Sequence, residues 1–319
     1  MHRIMFILVC TLAALALTGA AAWFFLPTAT WRDVVTAAER QRAGLVAKTV
    51  TAGGQPIAYL DGGAATDPAP ILLLHGSSGE KDNWNRVARF LTPQHRVIAI
   101  DLPGFGDSPH WIGHGIGLAD QVAALTAIID ALGLQQLHLG GNSMGARVAA
   151  LYAAAHPRRV RSLWLPGPSG VLSAAPSDLQ RHLQAGGDNP LFIRSIYAFD
   201  AYLHWLMAAP PRIPAPVKHA MAERALGKAD FHRSVFDAFA HETVSLEHSL
   251  NGMTVPTRIV WGERDRIWHV SGATLLVDHL ANASLLLLPG GHLPMIEAPD
   301  TVAADYLAFL SSLPQHQEF

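Results

Sequence analysis

Leu137-His138-Leu139-Gly140-Gly141-Asn142-Ser143-Met144-Gly145-Ala146 is the stretch on which the reading of the fold turns. Its first three residues form a short apolar strand. Gly141 to Gly145 is a G-x-S-x-G, and Met144 to Ala155 reads as a small-residue helix that ends before Pro157. A strand that turns this sharply into a helix lifts a serine hydroxyl above the sheet edge. Gly141, Gly145 and Ala146 leave room for the close backbone approach that the turn demands. The pentapeptide alone is weak, because a glycine-rich turn whose serine merely caps the helix reads the same way.

Working outward, short β-rich runs alternate with helical patterns on both sides. Val46–Thr51 and Ile57–Asp61, separated by Gly53-Gly54, form a hairpin signal. Strands follow at Ile71–His75, Val97–Leu102, Leu137–Leu139, Val160–Leu165, Thr257–Trp261 and Ser284–Leu288. Helical spacing lies between them at Asn83–Leu91, Leu118–Leu132, Met144–Ala155, Ser271–Leu280 and Thr301–Leu313. This order predicts an α/β fold, a mostly parallel sheet with helices on both faces. The rhythm breaks over Gly167–Met253, a helical stretch punctuated by Pro176, Pro190, Pro210, Pro211, Pro214 and Pro216. The expected organisation is a core of 46–167 and 254–319 with an inserted helical cap over 168–253. No repeat with a period of 20 to 50 residues is visible.

A serine nucleophile needs a base, and the base needs an orienting carboxylate. In open α/β sheets such groups gather at the carboxyl ends of strands. Asp265 follows the strand Thr257–Trp261, and His292 follows Ser284–Leu288. Ser143, Asp265 and His292 are therefore the candidate catalytic set, with Glu263 as rival acid and His269 as rival base. The oxyanion of acyl transfer needs backbone donors. Met144 N–H, directly after the serine, and Ser77 N–H, in the loop after Ile71–His75, are the candidates, with Ser78 as an alternative. His75 is expected to brace that loop. His241-Glu242 lacks a second His four residues on, where Ser245 stands, so it is no zincin helix. No metal and no cofactor is expected.

These residues resemble the α/β-hydrolase superfamily over about residues 45–313. The resemblance is carried by His75-Gly76, Asp101–Ser108 (DLPGFGDS), Gly141–Gly145 (GNSMG), Trp261–Asp265 (WGERD) and Gly291-His292. Within it, His75–Trp84 (HGSSGEKDNW) and Asn142–Gly145 (NSMG) look like the membrane-anchored monoacylglycerol lipases and the Moraxella-type bacterial lipases. The likeness implies hydrolysis of carboxylic esters of lipid-like substrates by Ser143, Asp265 and His292. Ser77 stands where many relatives have an aromatic residue and Ala146 where many have a third glycine, which puts acyl preference in doubt more than catalysis. Carbon–carbon bond hydrolysis or cofactor-free peroxidation on the same triad, and a non-catalytic ligand-binding protein, are the alternatives.

Composition bounds the rest. Among 319 residues there are only 23 Lys and Arg and 25 Asp and Glu, 15% charged with a net charge of −2, so no nucleic-acid partner is expected. Half of the chain is apolar, which excludes disorder, and one Cys excludes a disulfide framework. Ile4–Leu26 carries no charge and, as a helix, reaches about 34 Å, enough to span a bilayer core of about 30 Å. An uncleaved anchor over 1–27 with membrane contact through residues 4–26, or a signal peptide cut near Ala20-Ala21-Ala22, both place the following domain outside the cytoplasm. Residues 28–45 read as a polar connector. Setting the apolar run aside barely alters the charge deficit, since Arg3 is the one charge before residue 27. In the cap, Leu191–Met207 is denser in aromatic and aliphatic residues than one helix stripe requires. Ser78, Trp205 and Leu206 are the candidate substrate contacts there and in the loop. Oligomeric state is not legible.

Overall fold

The computed structural model describes residues 27–65 and 67–314, together with Met5, Ile7 and Thr11. The anchor or signal segment expected at 4–26 therefore lies, but for those three residues, outside the described part. Among the described residues no helix is long and apolar enough to cross a membrane.

Eight strands form one sheet in the order β1-β2-β4-β3-β5-β6-β7-β8. These are β1 (Leu45–Ala52), β2 (Gln55–Gly62), β3 (Ile71–Leu74), β4 (Val97–Ile100), β5 (Leu137–Gly141), β6 (Val160–Pro166), β7 (Thr257–Gly262) and β8 (Ala283–Leu288). The β1–β2 hairpin pairs antiparallel, and β2 joins β4 antiparallel. All other pairings are parallel. A parallel sheet must be buried on both faces, which is why β3 and β4 are apolar at every position. Alternate side chains then serve two cores. Leu72, Leu74, Ile98 and Ile100 pack on one face, and Ile71, Leu73, Val97 and Ala99 on the other.

The flanking helices are α1 (Thr28–Arg42), α2 (Asn85–Leu91), α3 (Leu118–Ala131), α4 (Met144–Ala155), α10 (Ser271–His279), α11 (Pro294–Glu297) and α12 (Pro299–Ser312). Between β6 and β7 come α5 (Asp178–Gln184), α6 (Phe199–Leu206), α7 (Ala215–Gly227), α8 (Ala229–Ala240) and α9 (Leu246–Ser249), with no strand among them. The stretch read as a polar connector is largely the 15-residue helix α1, which packs against α7. The apolar density of 191–207 is divided. A turn of 3-10 helix at Ile196–Ala198 precedes α6, because Pro190 and the extended Ser195 prevent a longer helix.

Candidate active site

Ser143 sits between β5 and α4 with φ 56° and ψ −117°. Among the described non-glycine residues only Ser143 and Ser78 have positive φ, and both line the same cleft. Strained backbone at two facing residues is a mark of a functional site, since packing must hold it in place. Two glycines make this possible. A Cβ on Gly145 would fall 2.4 Å from the carbonyl of His75, and one on Gly76 would lie 3.2 Å from Cβ of Ser143. The turn after β5 and the loop after β3 thus press together without side chains between them.

His292 and Asp265 meet at the same sheet end. Nδ1 of His292 donates to Oδ2 of Asp265 at 2.8 Å, and both side chains are buried. The other carboxylate oxygen of Asp265 accepts the N–H groups of Ile267 at 2.8 Å and Trp268 at 3.0 Å. An acid with both oxygens engaged has little freedom to rotate, so the imidazole orientation is inherited from the turn 265–268. The main chain of His292 is held as well. Its N–H donates to the Leu206 carbonyl at 2.8 Å, and its carbonyl accepts Nδ2 of Asn142 at 3.1 Å. Asn142, one of the two variable residues of the pentapeptide, also donates to the Pro166 carbonyl and so ties three strand ends together. The rival Glu263 is exposed, and His269 bonds Ser271.

The backbone N–H groups around Ser143 differ in their partners. The N–H groups flanking Met144 are taken by Pro166 and Asn142 carbonyls, whereas Met144 N–H meets no backbone carbonyl among the described residues. The same holds for Ser77 and Ser78. His75 is fully buried. It accepts Leu102 N–H at Nε2 and donates from Nδ1 to the Gly76 carbonyl at 2.7 Å, and burial lowers its pKa. It braces the loop, as its position suggested.

A ladder of ions secures that loop from behind. Arg40 of α1 pairs with Asp82 at 2.6 Å, and buried Lys81 reaches Asp101 at 2.7 Å and Asp107 at 2.6 Å. Arg224 of α7 pairs with Asp107 at 2.7 Å and with Glu80. Burial pushes the Glu80 carboxyl upward against the attraction of Arg224. The ladder is not legible in sequence, because its charges are scattered over four segments.

Two adjoining hollows lie at this end of the sheet. The smaller, about 50 Å³, is walled by Ser77, Ser78, Ser143, Leu191 and His292 among others. It shares Ser78, Tyr202, Leu206 and Leu293 with a larger, mostly apolar hollow of about 240 Å³ under α1, α6 and α7. Burial pushes the Tyr202 phenol up to about 12, with a side-chain hydrogen bond to Ser78 opposing it. Ser78 and Leu206 therefore face the hollows. Trp205 does not. Its ring lies under the Arg266 guanidinium at 3.7 Å and beside His182, on the outer side of α6. Successive side chains of a helix point about 100° apart, and here residue 206 turns toward the hollows while residue 205 turns away from them.

This sheet order, with a strand–turn–helix serine beside a carboxylate–histidine pair, defines an α/β hydrolase, and residues 69–299 match the family described as alpha/beta hydrolase fold. The chain belongs to that family and is a hydrolase. It is similar to Lipase 1 of Psychrobacter immobilis, 33% identical over 280 residues that cover 86% of this chain and 87% of the relative. It is 29% identical to monoacylglycerol lipase abhd6-A of Xenopus laevis, over 86% of this chain and 85% of that one. Among solved structures, a membrane phospholipase A described as a bacterial virulence factor superposes with a TM-score of 0.86 at 37% identity. That match covers 98% of this chain and 99% of the other.

Proposed function

We propose that this chain is a serine hydrolase that cleaves carboxylic esters of lipid-like substrates through an acyl-enzyme. The observation that carries this reading is the cleft in which strained Ser143 and Ser78 meet the His292–Asp265 pair, with an apolar hollow leading away from it. Similarity to lipases, a monoacylglycerol lipase and a membrane phospholipase A supports the substrate class.

In this mechanism His292 Nε2 takes the proton of Ser143 as Oγ attacks the ester carbonyl. Asp265 orients the ring and stabilises the imidazolium. The N–H groups of Met144 and Ser77 hold the oxyanion, and His292 returns its proton to the departing alcohol. Water then attacks the acyl group, giving a proton to His292; the carbon–Oγ bond breaks and Oγ regains that proton. The acyl chain occupies the apolar hollow between α6, α7 and the loop after β3, which makes 168–253 a substrate-selecting cap. The test is hydrolysis of p-nitrophenyl acyl esters of increasing length, with fluorophosphonate labelling, by wild type and Ser143→Ala. Turnover and labelling restricted to wild type are expected; equal inactivity of both would remove the proposal.

We further propose that residues 4–26 hold the chain at a membrane with the catalytic domain on the outer side. The chain should then sediment with membranes and be degraded by protease added to intact spheroplasts. Resistance to protease there, with degradation after lysis, would place the domain inside.

A further inference from the structure

The mechanism above leaves one polar contact of the nucleophile without a role. Nε1 of Trp268 donates to Oγ of Ser143 at 3.4 Å. Indole is a donor only, so Oγ must accept here, and its own proton stays free for His292. The indole is aimed by its main chain. Trp268 N–H donates to Oδ1 of Asp265 at 3.0 Å, and its carbonyl accepts the indole N–H of buried Trp261 at 3.1 Å. The turn 265–268 therefore presents the acid to His292 and an indole N–H to Ser143 from four consecutive residues.

We infer that Trp268 is a further catalytic residue, whose indole N–H stabilises the charge on Ser143 Oγ when that oxygen loses or regains its proton. The inference rests on Ser143 being the nucleophile. As Oγ passes its proton to His292 Nε2 and bonds the acyl carbon, it carries partial negative charge, and a fixed donor favours that state over the neutral hydroxyl. The same N–H acts in deacylation, when the carbon–Oγ bond breaks and Oγ leaves. A donor that is long at rest shortens as charge develops. Tyrosine or phenylalanine keeps the ring at this position but carries no N–H at Oγ.

The test uses the full chain in detergent. Trp268→Phe should lower kcat for a short p-nitrophenyl ester and the fluorophosphonate labelling rate together by roughly tenfold, the range of one neutral hydrogen bond. KM should change less than twofold, and the acid limb of the pH–rate profile should not move, because Asp265 and His292 keep their bonds. A labelling rate within twofold of wild type would overturn the inference. So would a loss accompanied by a shifted acid limb, which would assign the effect to Asp265. If Trp268→Phe does not fold, ¹⁵N-indole spectra of wild type decide. One Nε1–H signal should shift on phosphonylation of Ser143 and in Ser143→Ala, and unchanged indole signals would overturn the contact. Absence of labelling in wild type itself would instead remove the serine reading on which the inference stands.

Discussion

Asp265 accepts three hydrogen bonds, from His292, Ile267 and Trp268, so replacing it removes more than a charge. Asp265→Asn should still fold but lower kcat by roughly 10⁴-fold, because an amide in its place turns the imidazole to the wrong tautomer. Ester turnover with a matched unfolding midpoint checks this. Ser143, Asp265 and His292 were legible as candidates because each follows an apolar strand, in a motif whose residue types suit nucleophilic catalysis. Asn142 and Trp268 were not. Asn142 occupies one of the two variable positions of the pentapeptide, and Trp268 lies outside every motif. What gives them their roles is the meeting of segments more than a hundred residues apart, as in the Trp268–Ser143 contact.

At the scale of elements, α6 separates two effects that sequence alone joined. Leu206 lines both hollows and Trp205 neither. Leu206→Asn should reduce turnover of long-chain esters at least several-fold more than that of short ones. Trp205→Gln should leave the ratio of long-chain to short-chain rates unchanged while removing the stack under Arg266. Rates across acyl lengths for the two variants test the assignment. Helix α7 is fastened by Arg224 to Glu80 and Asp107. Arg224→Met should destabilise the fold by about 1–2 kcal/mol, since these carboxylates are half-screened by solvent and lose a shared partner. Chemical denaturation would measure it. The strand and helix rhythm outside 167–253 was readable because strands buried on both faces are mostly apolar. Inside that stretch, proline and short helices broke the periodicity, so α6 could not be oriented in advance.

The whole molecule should lose stability in weak acid. Burial holds His138 and His232 at about 4, down from the free value of 6.5. Between those values the unfolded chain binds protons that the folded chain refuses, so their stabilisation is complete above pH 6.5 and falls as pH drops toward 4. Each contributes a slope of up to about 1.4 kcal/mol per pH unit. Denaturant midpoints measured across that window should flatten in the double variant His138→Gln, His232→Gln. Steepening there would contradict the assignment. The bond from His292 N–H to the Leu206 carbonyl has a different reach. Because the last residue of α6 supports the backbone of the proposed base, the selecting insert and the reaction centre are one mechanical unit. Chimaeras that graft a relative's insert between β6 and β7 will keep activity only where the donor restores a carbonyl at that spot. Altered substrate range should therefore arise more readily from point changes along α6 and α7 than from exchange of the whole segment.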